Sequence, residues 1–264
     1  MTESSIWAIA IFDIDGVLRD VSGSYRRALA DTVEELTQGG YRPTSDEIDR
    51  LKAEGHWNND WEGSQELALR YFEQQGQARS QVSIDFDALV AFFQSRYRGP
   101  DPANWTGYIC QEPLLVDHGY FDQLSQAGIA WGFFSGATQG SAQFVLNHRI
   151  GINQPVLVAM EDAPGKPDPS GLFDVVHQLE QQHDLSPDLP IIYAGDTVAD
   201  MQTIVQARQQ SDRPLAAVGI LPPHARKTAE YAQQYGDRLS AQGADVVFPQ
   251  VRALTPDQVR SLVG

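Results

Sequence analysis

The 264-residue chain has a single cysteine, Cys110, and only three lysines. One cysteine excludes an internal disulfide and fits a reducing compartment, so the sequence predicts a cytoplasmic protein. Cys110 sits beside apolar Ile109 and reads as packing rather than as a nucleophile. No apolar run approaches the roughly 20 residues of a membrane span. The N-terminus lacks the basic start and hydrophobic stretch of a secretory leader. No membrane partner is expected. Positive charge is scarce, with 19 Lys and Arg against 35 Asp and Glu, a net charge of −16. That balance argues against a nucleic-acid partner, which would need cations to neutralise phosphates. Acidity on this scale supports solubility. There is no internal repeat, and the oligomeric state is left open.

What is present begins at residues 6–16, IWAIAIFDIDG. An uninterrupted apolar run is a strand buried on both faces, as in a parallel sheet. It stops on Asp13 and Asp15, with Gly16 behind. The C-terminal ends of such strands are where open α/β sheets place their ligands. Unpaired buried carboxylates are costly, so two of them there point to a cation and a reacting group above. An Asp-Gly pair also has a purely conformational use in turns. A second strand, 129–134, runs into Ser135 and Gly136. A hydroxyl and exposed backbone N–H groups can hold a phosphate there, or the segment simply caps a helix near 138–147. Lys166 stands between Gly165 and Pro167-Asp168-Pro169, where two prolines stiffen the loop. A third strand, 191–194, leads to Gly195, Asp196 and Asp200. The two acids fall four residues apart on a first helical turn, where capping is the plainer explanation.

The order strand-DxD, strand-S, loop-K, strand-GDxxxD resembles the four motifs of the haloacid dehalogenase (HAD) superfamily. The match covers about residues 5–20 and 108–250. The resemblance implies that Asp13 is a nucleophile forming an aspartyl-phosphate, and that Asp15 is the general acid and base. It implies that Ser135, Gly136 and Lys166 bind the phosphoryl group. Mg2+ would be held by Asp13, Asp15 through its backbone carbonyl, Asp196 and Asp200, the last also steadying Lys166. Asp15 favours C–O–P hydrolysis, because superfamily members that cleave other bonds lack that acid. The expected activity is a Mg2+-dependent phosphatase acting on a small phosphorylated metabolite. A phosphomutase and a catalytically idle binding protein are the alternatives.

Spacing locates an insertion. From Asp13 to Ser135 is 122 residues, too long for one crossover helix, whereas Ser135 to Lys166 is 31. Tyr25, Ala28, Leu29, Val33 and Leu36 recur on one helical face, and further amphipathic stretches start near Thr44, Asp60 and Asp85. Four such helices suffice for a small bundle. The remainder alternates helix and strand, with a helix at 224–240 among them. The expected fold is therefore α/β, a Rossmann-like parallel sheet with helices on both faces and an inserted α-helical cap. The core is expected at 1–18 and 108–264 and the cap at 19–107. In the family such a cap, here similar to that of phosphoglycolate phosphatases and β-phosphoglucomutases, selects substrate. Arg19, His56, Trp57, Asn58 and Asn59 are the specificity candidates, with Arg26 and Arg27 nearby. Lys52, His224 and Arg226 read as surface residues.

Overall fold

A computed structural model describes residues 5–57 and 59–264, so the expectation for Asn58 lies outside the described residues. The chain divides into two compact units, Val21–Pro113 and the remainder.

The first strand is β1 (Ala8–Phe12), every residue of it buried. The helical unit follows, with α1 (Tyr25–Leu36), α2 (Ser45–Lys52), α3 (Asp60–Gln74) and α4 (Phe86–Tyr97). Its starts are written in the sequence. Thr44 and Glu47 form a reciprocal capping box on α2, Asn59 accepts from the Trp61 and Glu62 amides, and Asp85 caps α4. Tyr25 packs against Tyr97 and Phe93, with ring centroids 4.0 and 5.6 Å apart. A 3-10 turn at Tyr108–Gln111 belongs to this unit rather than to the sheet. The Tyr108 hydroxyl donates to Asp31 at 2.7 Å, which ties the turn to α1.

The other unit continues with α5 (His118–Gln126), β2 (Ile129–Phe134), α6 (Gln139–Gln143), β3 (Leu157–Val158) and α7 (Ser170–His183). It ends with β4 (Ile191–Gly195), α8 (Val198–Gln210), β5 (Leu215–Ile220), α9 (Ala229–Ala241), β6 (Val246–Phe248) and α10 (Pro256–Val263). Among the described residues the strands form one parallel sheet in the order β3-β2-β1-β4-β5-β6. Side chains alternate along β1. Ile9 and Ile11 join Val175 and Leu179 of α7 and Ile204 of α8 in one apolar core. Phe12 meets Tyr120 and Phe121 of α5 at 6.0 and 5.7 Å. Helices thus cover both faces of the sheet.

Three local expectations are corrected. The helix near 138–147 is a short α-helix that widens into a π-helix over Phe144–Ile150 and stops at left-handed Gly151. The helix expected from 224 starts only at Ala229, because Thr228 accepts from the Tyr231 amide and caps it there, leaving Pro223–Arg226 as a 3-10 turn. That turn also buries His224, whose ring meets Tyr235 edge-on at 5.9 Å, so it is not a surface residue.

Candidate active site

The strand order reverses at β1, which neighbours both β2 and β4, and such a switch point opens a crevice at the C-terminal strand ends. Asp13 directly follows β1, Ser135 follows β2, and Asp196 follows β4. Register holds them level. The Asp13 amide donates to Ala194 O at 2.9 Å, and Ser135 N donates to Val158 O at 3.0 Å. Lys166 arrives from the loop before α7. There Asp168 accepts from the Ser170 amide, and the Asp168 amide donates to Gly165 O.

These remote stretches converge. Lys166 Nζ donates to Asp13 Oδ1 at 2.7 Å and to Asp200 Oδ1 at 2.6 Å. It lies 5.1 Å from the ring centroid of Phe134 and 5.4 Å from that of Tyr193. Asp13, Asp196 and Asp200 offer carboxylate oxygens all within 4.8 Å of one another, and all three residues are buried. Asp200 has both oxygens engaged. The Tyr193 hydroxyl donates to Oδ1 at 2.7 Å, and the Thr197 amide and hydroxyl donate to Oδ2 at 2.9 and 2.7 Å. Asp200 therefore caps α8 and also contacts Lys166. Asp196 precedes the N-cap, Thr197, and is not on the helix. Its backbone carbonyl accepts from Tyr235 at 3.1 Å. Ser135 Oγ is buried and accepts from the Ala137 amide at 3.1 Å.

The charges are strained electrostatically. Burial pushes the Asp13 carboxyl up to about 7, with Lys166 opposing the rise and Asp200 and Asp15 adding to it. Burial works against the Lys166 ammonium too, but Asp13 and Asp200 outweigh it and hold the group above its ordinary value. Burial likewise opposes ionisation of Asp200, yet Lys166, Thr197 and Tyr193 keep its carboxyl below the usual range. Burial, then the Asp200 charge, holds the Tyr193 phenol well above its ordinary value. Two of the three clustered carboxylates, Asp13 and Asp200, thus share one ammonium, with Asp196 beside them. The surplus negative charge is what a hard divalent cation with oxygen ligands would relieve, so the residues fit Mg2+.

The carboxylate of Asp15 stands outside that group. It pairs with Arg19 through Oδ1. Arg19, a specificity candidate by sequence, has a fully buried side chain that pairs with Asp15. Arg26 is buried against Asp49, and the Arg27 guanidinium lies 4.2 Å from the Tyr108 ring centroid. Lys52 is paired with Asp60 at 2.8 Å. In the helical unit His56 is exposed, Trp57 Nε1 donates to Glu54 at 2.8 Å, and Asn59 is occupied as an N-cap. Sequence reading missed Tyr193, Tyr235 and the Arg19 partnership. The hydroxyls sit in apolar strand and helix patterns that show no polar duty.

A curated imidazoleglycerol-phosphate dehydratase from Phytophthora nicotianae is 30% identical over 247 residues, 90% of this chain. The chain spans about half of that relative's length, 49%. A phosphatase from Thermococcus thioreducens superposes with a TM-score of 0.59 at 22% identity, covering 80% of this chain and 92% of its own. A phosphonoacetaldehyde hydrolase-like protein from Oleispira antarctica gives 0.64 at 20% identity, covering 99% and 93%. Likeness at that identity speaks to the fold alone. The family model for haloacid dehalogenase-like hydrolases matches residues 7–208, a span that takes in Asp13, Ser135, Lys166, Asp196 and Asp200. The chain belongs to the haloacid dehalogenase-like hydrolases.

Proposed function

We propose that this protein is a Mg2+-dependent phosphatase that hydrolyses a small phosphorylated metabolite through an aspartyl-phosphate on Asp13. The observation that carries the reading is the shared lysine. Lys166 contacts Asp13 and Asp200 together, beside a third buried acid. Asp13, Asp196 and the Asp15 backbone carbonyl would hold Mg2+, which supplies positive charge to the phosphoryl oxygens when bound. Lys166 adds a second positive charge, and Ser135 with the Gly136 backbone orients the group.

A phosphate ester repels anionic nucleophiles, so Asp13 must be held in line and the charge around it neutralised. Asp13 attacks phosphorus as the bond to the leaving oxygen breaks. Asp15 gives its proton to that oxygen, and the alcohol departs. Asp15 then takes a proton from water. The resulting hydroxide attacks phosphorus, the bond to Asp13 breaks, and inorganic phosphate leaves. Asp13 and Asp15 return to their starting states.

Substrate choice falls to the helical unit in this reading, with exposed His56 and half-buried Trp57 on its α2–α3 loop. The test is phosphate release from p-nitrophenyl phosphate and from a panel of sugar, glycolate, nucleotide and amino-acid phosphates, with and without Mg2+. The curated relative is named for an imidazole-bearing phosphate, so such monoesters join the panel. Turnover that needs Mg2+ and vanishes in Asp13→Asn is expected. Folded protein with Mg2+ and no turnover of any ester would sink the proposal.

A further inference from the structure

Arg19 follows the first acidic pair closely, and its side chain has no exposed surface. A buried guanidinium needs an anionic partner, because an isolated charge out of water is costly. Asp15 is one such partner, and its side chain keeps 27% of its surface exposed. Arg19 Nε donates to Asp15 Oδ1 at 2.6 Å, and Nη2 lies 2.5 Å from the same oxygen. Two nitrogens thus converge on one oxygen. A fork-to-fork pair would occupy both carboxylate oxygens. Here Oδ2 has no hydrogen-bond partner among the described residues.

The backbone makes this arrangement rigid. The Gly16 amide donates to Arg19 O at 2.9 Å, and Leu18 and Arg19 amides both donate to Ile14 O. Arg19 also bridges Asp15 on one side and Leu114 on the other, and the Leu115 amide donates to Leu18 O at 2.8 Å. The segment after β1 is therefore a closed loop clamped by the returning chain, with the arginine inside it. Arginine suits the place because its planar fork keeps a fixed donor direction, which a lysine on a flexible stem does not.

We propose that Arg19 is a positioning residue for the acid–base step. It pins Oδ1 of Asp15 so that Oδ2 is the oxygen that gives a proton to the leaving group and later takes one from water. The inference rests on the phosphatase reading above and adds a residue to it. A pair serving only to hold the loop together would gain from engaging both oxygens and burying both partners. This one leaves an oxygen unengaged and its acid partly exposed. The Arg19 guanidinium reaches the acid–base residue directly, through Asp15 Oδ1.

The test uses leaving groups. General acids matter most where the departing oxygen is a poor leaving group, and contribute about 10²–10⁴-fold. kcat and KM are measured with Mg2+ for p-nitrophenyl phosphate, phenyl phosphate and a simple alkyl phosphate. Arg19→Met is expected to lower kcat for phenyl and alkyl phosphate by about 10–100-fold, with p-nitrophenyl phosphate within about threefold and KM little changed, because a displaced acid forfeits part of that range. Arg19→Lys should restore part of the loss. In an Asp15→Asn background Arg19→Met should add no further loss, since residues acting as one unit are not additive. That double variant also removes the carboxylate that the single change leaves unpaired, so it serves if Arg19→Met alone fails to fold. An equal loss for every leaving group, or a further drop in the Asp15→Asn background, overturns the role of Arg19. A wild-type protein that turns over none of the esters overturns the phosphatase reading itself.

Discussion

A Cβ atom on Gly16 would lie 2.0 Å from Asp196 Oδ2 and 2.6 Å from its Cγ. The glycine after the first acidic pair and the acid after β4 are in van der Waals contact, although 180 residues separate them. Gly16 also has φ +76°, a left-handed conformation that costs a side-chain-bearing residue about 1–2 kcal/mol. Both facts demand glycine. Gly16→Ala is therefore expected to lose about 1–2 kcal/mol of stability and to displace Asp196. Calorimetric Mg2+ titration should show affinity falling more than tenfold. Unchanged affinity would mean that Asp196 is not a ligand.

The buried charge on Asp13 sets a pH dependence. Its carboxyl is raised from 3.8 to about 7. Between those values the folded protein holds a proton that the unfolded chain has lost, so without metal this group makes stability fall as pH rises from about 4 to 7. The shift corresponds to at most about 4 kcal/mol, since each pKa unit is about 1.4 kcal/mol. Asp13→Asn removes that penalty but weakens the charge-assisted bond to Lys166, about 1.5–3 kcal/mol. The expected net is a gain of about 1–2.5 kcal/mol at neutral pH, with activity abolished. Metal-free melting curves at pH 5 and 7.5 check it. The wild type should lose more on going to 7.5 than the variant, and parallel losses would refute the assignment.

The fold was legible where polarity changes at strand ends. Asp13, Ser135 and Asp196 each interrupt an apolar string, and their recurrence at the ends of strands buried on both faces goes beyond what turns and caps alone require. The alternation of helix and strand exposed the sheet for the same reason. Less legible were features that depend on neighbours distant in sequence. Arg19 and His224 resemble surface residues because polarity normally means exposure, and only the structure supplies Asp15 and Tyr235 as their partners. The widening over Phe144–Ile150 left no mark, since a π segment this short shifts the apolar register too little to stand out from α-helical periodicity. The Thr228 cap was visible in type, a threonine before a helix, but the preceding His-Ala-Arg looked equally helical.

Tyr193 offers a test that removes one atom. Its hydroxyl donates to Asp200 Oδ1, the oxygen that also accepts from Lys166. Tyr193→Phe keeps the ring beneath Lys166 and deletes that bond. The expected cost is about 1 kcal/mol of stability, as for one buried hydrogen bond. Asp200 keeps Thr197 and Lys166, so the site persists with a less tightly held lysine. kcat should fall about 3–10-fold, or about 1 kcal/mol, with KM nearly unchanged. A change confined to KM would place Tyr193 in substrate binding instead.

A cation bound to the folded state alone stabilises it by about 2.7 kcal/mol when present at 100 times its Kd. Binding needs Asp13 ionised, and that group lies near 7. Protons therefore compete with Mg2+, and protection should grow as pH rises from 6 to 8. A gain of that size corresponds to roughly 5–10 °C in Tm for a chain of this length. EDTA should erase the gain, and Asp196→Asn should lose most of it while keeping its metal-free Tm. If Mg2+ protects Asp196→Asn as well as the wild type at pH 8, the cation binds elsewhere and the buried acids serve only to position Lys166.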